Sequence, residues 1–282
     1  MQNSRAKEII FLNGQFLTPD EAKVSVLTPG LLYGLGLFET MRSYQDKIVY
    51  FGAHIGRIKN SCKLLGLHLP YSAAAIRNII KREVGLGGLN DAYVRLTLWK
   101  AIRGADISVI VKQYQPYAPE KYQKGMSLAV SSLRQQEDNL LARHKTTNRL
   151  LYELSLREAR NRGFEGALIL NSRGYIAEAS RSNIFFAKGN AIFTPALACG
   201  CLEGITRRVI FDLARKNKLK IIEANFTLRD LYDSDEAFLT NSLAGVMPLA
   251  SVEKKRIGEG AKKFKLTRFF MKEYSLLLRD GD

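Results

Sequence analysis

His144-Lys145-Thr146-Thr147-Asn148-Arg149-Leu150 is the stretch on which the reading of this chain turns. An amine sits in a polar run directly ahead of a helix whose apolar positions are Leu150, Leu151 and Leu154. Further on, Ala177-Glu178-Ala179-Ser180-Arg181-Ser182-Asn183 places an acid at the end of a short apolar strand that begins Tyr175-Ile176. A carboxylate there costs free energy unless it meets a partner. Gly204-Ile205-Thr206-Arg207-Arg208 then opens an amphipathic helix (Val209, Ile210, Leu213) with a glycine and a hydroxyl. A helix start presents unpaired N–H groups and the positive end of the dipole, which suits an anion. Each segment alone has an ordinary reading: a solvated lysine, a strand-end acid in a surface ion pair, a threonine N-cap. In this order they offer an amine, a carboxylate and an anion-binding helix end.

Length and composition fit a soluble enzyme. With 282 residues the chain suits one large domain or two modest ones, and 46% hydrophobic and 25% charged residues are near globular averages. Residues 1–7 are polar, and the apolar run Ile9 to Leu12 is too short for a signal peptide. No stretch reaches membrane-spanning length, so a cytoplasmic location is expected. The three cysteines (Cys62, Cys199, Cys201) make neither a disulfide framework nor a zinc quartet, and no metal is expected. The net charge of +16 raises a nucleic-acid reading. Yet the basic residues are dispersed, and the densest patches (Lys254-Lys255-Arg256, and Lys262-Lys263 with Lys265) lack interleaved aromatics. A basic enzyme attracting an anionic small molecule is the simpler expectation. Gly30, Gly34 and Gly36 do not make a dinucleotide loop, no Walker loop is present, and His54, His68 and His144 are too scattered for a metalloprotease or a triad.

Periodicity places these segments. Ile9 to Leu17 alternates around Asn13-Gly14, a strong hairpin signal, and Phe38 to Phe51 reads as a second hairpin turning near Gln45-Asp46. Gly52 to Leu65 and Ser72 to Val84 have helical spacing, and Tyr93 to Trp99 and Ile107 to Tyr114 read as strands. Gln115 to Lys124, with Pro116 and Pro119, breaks both periods and reads as a linker. Beyond it, strands are expected at Met126 to Leu133, Ala167 to Asn171, Tyr175 to Glu178, Asn183 to Ala187, Ile192-Phe193, Lys220 to Ala224 and Glu236 to Thr240. Helices are expected at Asn148 to Arg162, at Ile205 to Asn217 and from Leu266. The pattern predicts two α+β domains, 1–114 and 126–282, joined through 115–125.

The order and wording of the three segments closely resemble the class IV (fold type IV) aminotransferase family, over roughly Ile10 to Leu249. That family includes D-amino-acid and branched-chain aminotransferases and aminodeoxychorismate lyase. The resemblance implies pyridoxal 5'-phosphate as cofactor, held in a cleft between two domains, with a homodimer completing the site. It implies that Lys145 is the Schiff-base lysine and that Glu178 keeps the pyridine nitrogen protonated, so that the ring serves as an electron sink. Ser182 and Asn183 follow Glu178 as in the family. Gly204, Ile205 and Thr206 would meet the phosphate, joined by Arg57 of His54-Ile55-Gly56-Arg57-Ile58 and by Thr240 of Phe238-Leu239-Thr240-Asn241. Leu202 matches the apolar residue that packs on the pyridine face, while Glu203 departs from the family's commoner proline.

Within the family, Lys145 to Leu150 and Thr240 to Pro248 look most like aminodeoxychorismate lyase, which releases pyruvate and 4-aminobenzoate for folate synthesis. The alternative is a branched-chain or D-amino-acid aminotransferase using 2-oxoglutarate. Either substrate carries carboxylates, for which Arg95 and Arg103 are the candidate partners, with Tyr33 and Trp99 shaping the pocket.

Overall fold

The computed structural model describes residues 8–45, 47–258 and 264–280. Asp46, the Lys262-Lys263 pair and residues 1–7 lie outside the described residues. The chain forms two compact units. The first takes in the described residues up to Gln115 together with Lys145–Asn148, and the second holds Pro116–His144 and Arg149–Arg279.

The first unit begins with the strands β1 (Ile10–Leu12) and β2 (Gln15–Leu17). Their turn puts Asn13 at φ 48° and Gly14 at φ 99°. Asparagine and glycine tolerate that left-handed geometry, which matches the twist of a two-residue hairpin. A single turn α1 (Pro29–Leu32) precedes β3 (Gly36–Tyr44) and β4 (Lys47–Ile48). The helices α2 (Phe51–Leu65) and α3 (Ala73–Leu86) follow, α3 capped by Ser72 accepting from the Ala75 amide. Last come β5 (Asp91–Lys100) and β6 (Ala105–Gln113). The six strands form one antiparallel sheet in the order β2-β1-β6-β5-β3-β4. Strand alternation sorts its faces. Ala92, Val94, Leu96 and Leu98 of β5 and Leu37 and Met41 of β3 share a buried core with Ile55 and Ile58 of α2 and Ile76 and Ile80 of α3. The intervening residues Arg95, Thr97 and Trp99 share the other face with Phe38.

The second unit is built on a mixed nine-stranded sheet. Its elements run α4 (Pro119–Lys124), β7 (Met126–Gln135), α5 (Leu150–Asn161), β8 (Gly166–Asn171), β9 (Ile176–Ala179), β10 (Asn183–Lys188) and β11 (Ala191–Pro195). Then follow α6 (Ile205–Lys216), β12 (Lys220–Ala224), α7 (Leu228–Tyr232), β13 (Glu236–Asn241), β14 (Gly245–Val252), β15 (Lys255–Arg256) and α8 (Lys265–Asp280). The strand order is β12-β11-β10-β13-β14-β7-β8-β9, with β15 added to β14. Register explains the aromatic core: Phe185 of β10 lies opposite Phe238 of β13, and the rings stack with centroids 5.1 Å apart.

Two sequence expectations change here. The stretch read as a linker carries α4, with Pro119 in its first turn and Gly125 at its end at φ 82°. Proline there lacks only an N–H that a first helical turn leaves unpaired anyway. The Thr240 to Pro248 segment turns out to contain most of an interior strand, β14, despite its proline. Pro248 is tolerated beside a register irregularity between Leu249 and Ser251, where the ladder is already interrupted.

Candidate active site

In the first unit, Lys145 is held by backbone pairing to β3. The Phe38 amide donates to the Lys145 carbonyl at 2.9 Å, Thr146 bridges Leu37, and the Thr147 amide donates to the Gly36 carbonyl at 2.9 Å. The Thr147 hydroxyl also donates to the Gly34 carbonyl at 3.1 Å. Gly36 is required by this clamp, because a Cβ there would lie 2.7 Å from Thr147 Oγ1. The amine of Lys145 then stands 4.6 Å from the centre of the Phe38 ring, and the Arg95 guanidinium is 4.0 Å from the same centre. Arg95 is braced by Thr97, whose hydroxyl accepts from Nε at 3.3 Å. One ring thus carries two cations, which a π-face can accommodate.

Arg57 on α2 meets Glu39, the residue after Phe38, in a two-pronged ion pair: Nε to Oε1 at 2.7 Å and Nη2 to Oε2 at 2.6 Å. His54 Nδ1 lies 2.7 Å from Glu39 Oε2. Burial pushes the Glu39 carboxyl up, but the Arg57 charge and the hydrogen bonds from Arg57 and His54 outweigh it and hold the group at about 2. Burial also lowers His54 despite its bond to Glu39. Trp99 lies under Gly30, where a Cβ would come within 2.6 Å of the indole side chain. Tyr33 and Arg103 are exposed, Arg103 in the loop between β5 and β6, and neither is drawn toward Lys145 by any described contact.

In the second unit the organising residue is Asn183, the first of β10. Its amide donates to Glu178 Oε2 at 3.3 Å and to the Leu202 carbonyl at 2.8 Å. Its side-chain oxygen lies where a Cβ on Gly204 would come within 2.1 Å, so only glycine fits. Sheet register sets it opposite Thr240. Glu178 on β9 is 5% exposed, and its other oxygen accepts from the Tyr152 hydroxyl at 2.8 Å. Ser182 is bound to the Asn241 side chain at 2.9 Å. Helix α6 starts at Gly204 with no side-chain cap, although its first residues, Ile205 and Thr206, are buried. A buried helix end without a cap calls for an anion. The buried hydroxyls of Thr206 and Thr240 have no hydrogen-bond partner within the protein. Glycine cradle, uncapped helix end and unpartnered hydroxyls fit a phosphate.

Sequence reasoning missed Phe38, Glu39 and Tyr152. Phe38 and Glu39 sit in a strand run that reads as core. Tyr152 shares the helix face of Ser155, Leu156 and Ala159, whose spacing signals only burial.

Residues 36–252 match the family model for amino-transferase class IV. The chain belongs to the class IV aminotransferase family. It is 32% identical to a protein named as a branched-chain-amino-acid aminotransferase of Methanocaldococcus jannaschii, over 91% of this chain and 93% of that one. The aminodeoxychorismate lyase of Bacillus subtilis is 28% identical, over 89% and 88%. Among solved structures, the Escherichia coli branched-chain aminotransferase superposes with a TM-score of 0.89 at 25% identity, covering 96% and 94% of the two chains. A thermophile branched-chain aminotransferase (T.th.) solved with pyridoxamine 5'-phosphate gives 0.85 at 28% identity, covering 94% and 93%. The fold is that of the fold type IV enzymes, and the cofactor is pyridoxal phosphate. The expected enzyme class and cofactor hold.

Proposed function

We propose that this enzyme is a branched-chain amino-acid aminotransferase, transferring the amino group of leucine, isoleucine or valine to 2-oxoglutarate. The observation that carries the reading is the 32% identity, over nearly the whole of both chains, to a relative bearing that name, against 28% to the lyase. It reverses the order of preference drawn from the Lys145 to Leu150 and Thr240 to Pro248 wording. When bound, pyridoxal phosphate supplies the aldehyde that captures amines and the ring that accepts the electron pair released at the α carbon.

The chain's residues take these roles. Lys145 anchors the aldehyde covalently, is displaced by the substrate amine, and then carries the proton between the α carbon and the cofactor. Glu178 holds a proton on the ring nitrogen. Gly204, Ile205 and Thr206 with Thr240 and Arg57 bind the phosphate. Asn183 and Ser182 support the Glu178 strand end, and Leu202 packs on the ring. Arg95 meets the substrate carboxylate, while Tyr33, Trp99 and Arg103 line the approach. The working form is a cytoplasmic homodimer. Val26, Leu27, Leu31 and Leu32 lie between 54% and 69% exposed on and beside α1, an apolar patch that suits a second copy. No described helix is long and apolar enough to cross a membrane.

The test is a product assay. Leucine with 2-oxoglutarate should give glutamate, and 4-amino-4-deoxychorismate alone should give no pyruvate. Pyruvate and 4-aminobenzoate in equal amounts over many turnovers, without any keto acid, would install the lyase instead.

A further inference from the structure

A directional chain of hydrogen bonds ends on Glu178. It starts at the Gln136 backbone amide, which can only donate, and which meets Gln135 Oε1 at 3.2 Å. Asn139 Nδ2 donates to the same oxygen at 3.3 Å. With its oxygen committed, the Gln135 amide must turn its nitrogen the other way, and Nε2 donates to the Tyr152 hydroxyl at 3.1 Å. The phenol oxygen is then an acceptor, so its single proton goes to Glu178 Oε1, 2.8 Å away. Burial raises the Tyr152 phenol far above its ordinary range, with the Glu178 charge adding to it, so the phenol keeps this proton. The Arg149 guanidinium, 3.6 Å from the centre of the Tyr152 ring and bound to the Ser180 carbonyl at 2.9 Å, fixes the ring from its face.

We propose that Tyr152, oriented by Gln135, is a positioning residue that keeps Glu178 a pure acceptor and so keeps the shared proton on the ring nitrogen of the cofactor rather than on the carboxyl. This rests on the assignment of Glu178 to that nitrogen. The physical ground is that a hydrogen bond to the charged form of an acid favours that form. In a buried pair sharing one proton, a donor on the carboxylate pushes the proton toward the other partner. Consecutive bonds with one direction polarise each other, so the Gln135 donor strengthens the Tyr152 donor. Asn183 supplies the second donor to Glu178, so loss of Tyr152 shifts the proton part of the way.

The experiment uses the holoenzyme loaded with pyridoxal phosphate carrying 15N in the ring, read by NMR against the protonated and unprotonated limits of the free cofactor. Wild type should sit near the protonated limit. Tyr152→Phe keeps the ring under Arg149 and removes only the hydroxyl, and its resonance should move part-way to the unprotonated limit. Gln135→Met, which leaves the hydroxyl in place, should move it less in the same direction, and it serves where Tyr152→Phe folds poorly. A role confined to packing would lower the melting temperature and leave the resonance at the wild-type position. A protonated wild type with both variants unmoved overturns the Tyr152 proposal alone. A wild type at the unprotonated limit, or a Glu178→Gln protein that keeps the wild-type resonance, overturns the role of Glu178 itself.

Discussion

The Nζ of Lys145 stands 4.6 Å from the centre of the Phe38 ring, while the Phe38 amide donates to the Lys145 carbonyl at 2.9 Å. The two residues are thus joined at both backbone and side chain, and strand β3 sets where the amine lies. Replacing Lys145 by alanine leaves the backbone half of that link intact. The variant should fold with a melting temperature near that of wild type. It should lose the visible absorption of the bound cofactor, and turnover should fall at least about 1,000-fold, since covalent anchor and proton carrier go together. A spectrum and a steady-state assay check this, and an active alanine variant would remove Lys145 from the chemistry.

Gly204→Ala tests the second unit. The new Cβ would fall 2.1 Å from Asn183 Oδ1, so Asn183 must shift and strain its bonds to Glu178 and to the Leu202 carbonyl. Overpacking of this kind costs about 1–3 kcal/mol. Titration of the cofactor-free protein should show pyridoxal phosphate binding weakened at least about tenfold, the equivalent of about 1.4 kcal/mol. Affinity within twofold of wild type would mean that the cradle has room to spare.

What was legible in the sequence was what short-range chemistry dictates. Asn13-Gly14 fixes its own hairpin, and Ser72 caps α3 locally. Lys145, Glu178 and Gly204 stood out because each occupies a recognisable local frame. Pairings distant along the chain were not legible. Nothing in Leu37-Phe38-Glu39 announces that Lys145 docks on it or that Arg57 and His54 close on Glu39. Tyr152 was hidden for another reason: helical spacing reports that a side chain is buried, and is silent on what its hydroxyl touches. Proline read as a breaker also concealed α4 and β14, where a first turn and a ladder irregularity absorb it.

Two buried carboxyls of the first unit give opposite pH dependences. Glu39, held at about 2, has a folded pKa below its unfolded one. Its contribution is fully present above the ordinary value of 4.5 and is lost as pH falls toward 2. At about 1.4 kcal/mol per unit, roughly 3 kcal/mol disappears across that window. Glu83 on α3 accepts from the Phe11 amide, has no partner on its other oxygen, and is pushed by burial up to about 8. It is protonated in the folded protein, so it contributes below 4.5 and loses that contribution as pH rises through 8. Glu83→Gln should therefore melt above wild type at about pH 9, and the gain should shrink steadily toward about pH 5. A gain independent of pH would show that Glu83 does not titrate in this range.

Thr206 and Thr240 separate binding from stability. Both hydroxyls are buried at 2% exposure and have no hydrogen-bond partner within the protein. A buried unpaired polar group costs about 1–3 kcal/mol. Valine has the shape of threonine without the hydroxyl, so Thr240→Val and Thr206→Val should leave the cofactor-free protein as stable as wild type or more so. With the cofactor the sign reverses. A hydrogen bond to a charged group contributes about 1.5–3 kcal/mol, so each change should weaken pyridoxal phosphate binding by about 10- to 150-fold. Pyridoxal, which lacks the phosphate, should bind wild type and variants alike. Melting curves of the cofactor-free proteins and titrations with both ligands decide it. A variant that loses stability without cofactor and binds both ligands as wild type does would place the hydroxyls in the fold rather than in the phosphate site.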